Sequence, residues 1–329
     1  MRYFSVFLLI VSLFIYSAAF ASYVFVSDEE SGIYVIDTDK IEIVKHIDLK
    51  GLGLRGIGVT KDGRYIAVAS KKLNKLLVIS TKNWKVVKYI LLGENPEFVK
   101  VHPKKDVLFV TYEEIGKAEK AYIVAIDTKN WREIFRFEGG KESEGMAFSK
   151  DGKYLVVANE GENSISIYDL DVKKKLKDID LKSYGERPRG VACSPDGRRC
   201  VVTFENSNNM LVLDSTFKPI KSVNTNAGPY GVTFSPDGSE IIVASFRAGK
   251  LDIFDAETLS LRMSLPTGKR CWHFTYSSDY TKLVVPCGNS QNILLFDAKT
   301  YKLLKTIGNL GKPWGAVAFP RALGSIDSP

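Results

Sequence analysis

The sequence predicts an all-β fold, a single seven-bladed β-propeller with four antiparallel strands per blade. Three observations predict it: one unit recurs seven times, the apolar period inside each copy is two, and the two ends each supply only part of a copy.

The repeat is plainest in Pro188-Arg189-Gly190-Val191-Ala192-Cys193-Ser194-Pro195-Asp196-Gly197 and Pro229-Tyr230-Gly231-Val232-Thr233-Phe234-Ser235-Pro236-Asp237-Gly238. Weaker copies begin near Arg55-Gly56, Pro96-Glu97, Glu144-Gly145, Trp272-His273 and Pro313-Trp314-Gly315, at steps of roughly 41 to 47 residues, the length of a four-stranded blade. Within a copy, Tyr154–Ala158 and Ile165–Asp169 are short β-rich runs separated by turn clusters such as Asp151-Gly152 and Asn159-Glu160-Gly161. The mature chain shows no convincing helical spacing of apolar residues, which disfavours an α/β fold. Such strands cannot bury an apolar face alone, whereas radial stacking makes one core and protects the edges.

The last copy stops after Gly315–Phe319, while Tyr23–Val26, Ile33–Asp37 and Ile43–Leu49 supply three strands with no inner strand before them. The two ends are therefore expected to close one blade together. Ahead of them, Met1-Arg2-Tyr3, the apolar run Phe4–Tyr16 and Ala19-Phe20-Ala21 read as a cleavable signal peptide over 1–21, with an uncleaved anchor as the alternative. The apolar run is shorter than the roughly 20 residues of a membrane-spanning helix, so no span is expected after cleavage. The propeller is expected over 22–320 and a flexible tail over 321–329. A periplasmic or secreted protein follows, read as a monomer.

The net charge of +8 is spread over turns such as Lys173-Lys174-Lys175 and forms no single groove. Nucleic acid is therefore not the expected partner; single strands on a basic rim would require strongly salt-dependent binding.

The Ser-Pro-Asp-Gly turns, Val157-Ala158-Asn159-Glu160 and Ile167-Tyr168-Asp169 resemble the YVTN-type periplasmic propellers over the whole mature chain, and the Gly-His and Trp-Asp markers of WD repeats are missing. Cys271-Trp272-His273-Phe274-Thr275-Tyr276, with Val284-Val285, is similar over a shorter stretch to the haem-binding propeller of periplasmic cytochrome nitrite reductases and their maturation factors. That likeness implies a haem-type tetrapyrrole as a possible cofactor. Those domains have eight blades and additional histidines, whereas this chain has three histidines and lacks Cys-x-x-Cys-His, so covalent c-type haem is excluded.

Aligned copies put one residue per blade at the channel mouth: Arg55, Glu97, Glu144, Arg189, Tyr230, Trp272 and Trp314, with His273 beside them. Packing alone would be served by small or apolar side chains in every blade, so this mixture points to recognition. Arginine offers a planar fork for oxyanions and aromatics offer stacking faces; the competing reading is mutual neutralisation of Arg and Glu around a wet channel. Loops between second and third strands bring Glu160, Asn163, Glu205, Asn206, Arg247 and Asn289 to the rim, although turns favour Asn anyway. His46 on an outer strand and His102 in a Ser-Pro-type turn read as structural, while His273 could ligate a metal or haem, move a proton or be packed.

The four cysteines flank turns: Cys193 and Cys200 lie symmetrically about Asp196-Gly197, and Cys271 and Cys287 almost symmetrically about the next such turn. Disulfides Cys193–Cys200 and Cys271–Cys287 are expected; zinc is the alternative, against which stands the absence of paired Cys-x-x-Cys spacing. No nucleophile elbow, phosphate loop, His-Glu-x-x-His or dinucleotide fingerprint occurs. Catalysis thus lacks a motif, although Glu97 and Glu144 could act as a carboxylate pair. The sequence favours a non-catalytic protein whose mouth binds a small anionic or aromatic ligand or a periplasmic protein, such as a redox protein. The alternative is a tetrapyrrole-binding redox or haem-maturation protein.

Overall fold

A computed structural model describes residues 22–327, so the expected signal peptide lies outside the described residues. The described residues form seven four-stranded antiparallel sheets around one axis. The inner strands of the first to seventh blades are Leu54–Val59, Val99–Val101, Ser143–Phe148, Pro188–Cys193, Pro229–Phe234, Thr275–Tyr276 and Pro313–Phe319. In the seventh blade Pro313–Phe319 pairs with Tyr23–Asp28, followed outward by Gly32–Asp37 and Glu42–Asp48, so the two ends close the ring as expected.

Burial grades outward along each blade. Middle strands such as Gly32–Asp37 and Ser164–Asp169 are buried at every residue, because sheets pack against both of their faces. The outermost strands alternate, as in Lys85–Leu91, with one face in water. Each fully buried Val, Leu or Ile contributes about 1.5–3 kcal/mol relative to exposure, so the core is held by many comparable terms.

The turn between inner and second strands is built by the repeated motif itself. Ser194 Oγ donates to Asp196 Oδ1 at 2.6 Å, that oxygen accepts the Arg198 N–H, and Gly197 takes φ 77°. Ser235-Asp237-Gly238 does the same. In the second blade His102 substitutes: its Nδ1 accepts the N–H groups of Lys104 and Lys105 at 2.9 and 2.8 Å, which leaves Nε2 to donate to the Gly152 carbonyl. His46, on the outermost strand of the seventh blade, stacks on Tyr34 and touches the Ser31 carbonyl.

Both expected disulfides are present, Cys193–Cys200 and Cys271–Cys287, each with Cα atoms 4.0 Å apart, and no cysteine is free. Cys193 and Cys200 face each other in register across the hairpin.

One expectation fails at the C-terminus. Residues 321–327 are not loose; they pack into the channel from the face opposite the mouth. Ala322 and Ile326 are buried, the Ser325 hydroxyl accepts the Phe274 N–H, Lys100 Nζ donates to the Asp327 carbonyl at 2.8 Å, and Asp327 Oδ2 accepts the Ala318 N–H. Arg321 donates to the carbonyls of His102 and Pro103. The apolar Ala322 and Ile326 supply the burial, and the channel supplies donors for the segment's polar groups. Among the described residues no helix is long and apolar enough to cross a membrane.

Candidate functional site

The mouth is built where the inner strands begin. Arg55, Glu144, Arg189, Tyr230 and Trp314 are each the second residue of their inner strand, and Glu97 and Trp272 stand just before theirs. The following position is glycine in five blades, because neighbouring inner strands touch there: a Cβ on Gly145 would lie 2.0 Å from the Arg189 carbonyl oxygen, and one on Gly190 2.2 Å from that of Tyr230. The two exceptions are Phe98 and His273, whose rings meet with centroids 5.4 Å apart.

A cavity of ≈ 260 Å³ at the mouth is lined by Arg55, Glu97, Glu144, Arg189, Tyr230 and Trp272, together with Glu160 and Arg187. The structure thus brings together six of the seven residues expected in the ring. Trp314 and His273 do not line this cavity. Both are buried beneath it, with ring centroids 4.4 Å apart, because packing against Phe98 removes their large surfaces from water.

Arg189 is the centre of the site. It touches the Glu160 carboxylate, reaches Glu144 at 2.5 Å and Glu205 at 2.6 Å, and lies over the Tyr230 ring at 4.8 Å. Tyr230 Oη donates to Glu144 Oε2 at 3.1 Å. The Tyr230 ring stacks on Trp272 with centroids 5.0 Å apart, and Arg270 covers the other side of Trp272 at 4.0 Å. A second chain of charges runs from Arg270 and Lys312 to Glu29, then to Arg55, which contacts Glu97.

Burial separates the carboxyls. Glu97 is pushed up to about 7, first by loss of water and then by the nearby Glu144 carboxylate. Glu160 rises to about 8 for the same two reasons in the same order. Burial also opposes ionisation of Glu144, but Arg189 outweighs it and holds this carboxyl below the usual range. Arg55 and Arg189 lose water too, yet Glu97 and Glu29 keep Arg55 firmly charged, and Tyr230 with Glu144, Glu160 and Glu205 does the same for Arg189. His273 falls to about 3, chiefly through burial and then through Lys100 and Arg189, so it is neutral, with Nδ1 3.2 Å from Ser325 Oγ.

The expected rim divides. Glu160 and Glu205 are buried members of the ion network and not exposed rim residues, because the arginines draw them inward. Arg247 joins them through Glu205 and Asn206 Oδ1. Asn163 Oδ1 accepts the Arg187 N–H at 2.7 Å and so positions that arginine, while Asn289 lines a neighbouring groove.

Sequence reasoning missed Glu29, Asn95, Arg187 and Arg270. Two signals could have found them. Glu29, Glu160 and Glu205 occupy one aligned position, directly after the second strand of their blades. Asn95, Glu142, Arg187 and Arg270 each stand two residues before a mouth residue and share φ between 49° and 62°, and the first three line the mouth cavity.

The arrangement does not fit haem. The lone imidazole near the mouth is enclosed by Phe98, Tyr230 and Trp314 and does not line the cavity, so it cannot face a macrocycle seated there. Among the described residues no cluster of His, Cys, Asp or Glu is arranged to hold a metal ion.

Comparison with known proteins gives one family match, to the seven-bladed β-propeller lactonases over residues 133–216. That stretch contains Glu144, Glu160, Arg187, Arg189 and Glu205. No curated protein matches the chain. Among solved structures, a protein of unknown function from Desulfotomaculum acetoxidans is similar at TM-score 0.77 and 19% identity, covering 90% of this chain and 98% of that one. A candidate 6-phosphogluconolactonase from Bacteroides uniformis is similar at TM-score 0.73 and 16% identity, covering 91% and 99%. The dihydro-haem d1 dehydrogenase NirN in complex with its ligand is similar at TM-score 0.65 and 15% identity, covering 90% and 74%. At such identities the likenesses speak for the fold. The match to an enzyme family over the most highly charged part of the mouth overturns the expectation of a non-catalytic binding protein.

Proposed function

We propose that the chain is a hydrolase that opens the ring ester of a small hydroxylated lactone at the channel mouth. The observation that carries this reading is the division among buried carboxyls: Glu144 is held ionised by Arg189, while Glu97, beside Arg55, titrates near neutrality. Lactone hydrolysis requires a base to activate water and positive charge where the carbonyl oxygen becomes an oxyanion. Ionised Glu97 takes a proton from water as its oxygen bonds to the carbonyl carbon. Arg55 and Arg189 stabilise the tetrahedral oxyanion. The bond from that carbon to the ring oxygen then breaks, and Glu97 returns the proton to the departing oxygen, leaving a hydroxy acid. Water is the only co-reactant. The lactonase match over 133–216 and the candidate 6-phosphogluconolactonase among the similar structures support the same reaction class. The disulfides support a periplasmic or secreted setting, and the Ser-Pro-Asp-Gly turns support a YVTN-type affiliation.

The test is proton release in a pH-stat with glucono-δ-lactone and 6-phosphogluconolactone. The expected result is a rate above buffer for at least one substrate, rising through about pH 7 as Glu97 ionises. Glu97→Gln should lower kcat about 10²-fold, the lower end of a general base's contribution, in a protein with unchanged circular dichroism. Rates equal to buffer for both substrates would overturn the reading.

A further inference from the structure

Beside the mouth, and sharing Trp272 with it, lies an open groove of ≈ 870 Å³ between loops of the fifth, sixth and seventh blades. The two spaces have opposite electrostatic character. Five glutamates and three arginines line the mouth, whereas the groove is lined by Arg247, Lys269, Arg270 and Lys312 and by no carboxylate. The carboxylates that answer these cations stand behind them and are shared. Glu29 serves Arg55, Arg270 and Lys312, and Glu205 serves Arg187, Arg189 and Arg247. The groove therefore keeps an excess of positive charge on its open side.

The arginines are fixed in place. Arg270 is held between Glu29 and the Trp272 ring, and Arg247 between Glu205 and the Phe246 ring at 5.5 Å. Fixed guanidinium groups lose little freedom on binding carboxylate or phosphate. The side chain of Thr267 adds a buried hydroxyl without a protein partner in the groove wall.

We propose that this groove is a second subsite, which holds an acidic saccharide chain attached to the lactone ring seated in the mouth; the assignment rests on the hydrolase reading. The cations come from three separate loops, which suits charges repeated along a chain better than one terminal anion. The glutamate-rich mouth next to the groove disfavours a continuous phosphate backbone, and the polar groups among the cations, Asn289 and Ser290, suit hydroxyl-bearing sugar rings.

The test is calorimetric titration of the full mature chain with trigalacturonate at low salt, against maltotriose, glucose 6-phosphate and an oligothymidylate. Trigalacturonate is expected to bind with salt-sensitive affinity and maltotriose not to bind. Lys269→Glu with Lys312→Glu should weaken trigalacturonate binding about tenfold or more, which corresponds to about 1.4 kcal/mol. Equal binding of trigalacturonate and maltotriose, or no effect of the double variant, would overturn the subsite. Glucose 6-phosphate binding as tightly as trigalacturonate would replace the chain by a single anion, and tighter binding of oligothymidylate would replace the saccharide by nucleic acid. Glu97→Gln should still bind trigalacturonate. Absent lactone turnover with groove binding intact would remove the hydrolase reading alone.

Discussion

At the scale of single residues, Arg189 holds more carboxylates together than any other cation of the mouth. Three carboxylates converge on it, two of them shared with other arginines. Arg189→Met would leave buried carboxylates uncompensated, and urea denaturation is expected to show a loss of about 3–5 kcal/mol, as for other broken buried pairs. Glu97 makes a prediction of opposite sense. Its carboxyl binds its proton more tightly in the folded state, at about 7 against an ordinary 4.5, so its contribution to stability falls as pH rises between those values. Glu97→Gln cannot ionise, and its unfolding free energy should decline less between pH 5 and 7 than that of the native chain. An equal decline in both proteins would refute the assignment. The mouth ring was legible because the repeat marks equivalent positions whatever side chain stands there. Depth was not legible: Trp314 and His273 hold mouth positions in the alignment, yet the channel below the ion pairs was the nearest apolar volume for their rings.

At the scale of elements, six blades were legible from their repeated unit and period of two and the seventh from the partial copies at the two ends, and the cysteine pairing followed from symmetry about the hairpin turns. The C-terminal segment was not. Its partners, Lys100, His102, Phe274 and Ala318, are spread along the chain, and a linear pattern carries no trace of such contacts. Deleting 321–329 should therefore destabilise the protein by about 3 kcal/mol or more, since Ile326 alone is a buried aliphatic side chain. An unchanged melting temperature would mean that the segment leaves the channel in solution. Replacing either cysteine pair by alanine closes off a smaller effect. With the partners 7 and 16 positions apart in sequence, the loss expected from loop entropy is about 2–3 kcal/mol per bridge.

At the scale of the whole molecule, the ring is closed by strands from opposite ends of the chain, Tyr23–Asp28 and Pro313–Phe319. Each blade buries its faces only against its neighbours, so opening the seventh blade exposes the core on two sides. Circular dichroism and tryptophan fluorescence should consequently report one coincident unfolding transition, and a chain starting after Asp28 should fail to fold. The docking of 321–327 has a further consequence. With Ser325 and Ile326 at the far side and Phe98, His273 and Trp314 across the middle, the channel is a well and not a tunnel. On the proposed hydrolase reading, a product formed at the mouth must leave by the door through which its precursor came. Product and substrate then compete for one entrance, and accumulated hydroxy acid should slow turnover in a purely competitive manner.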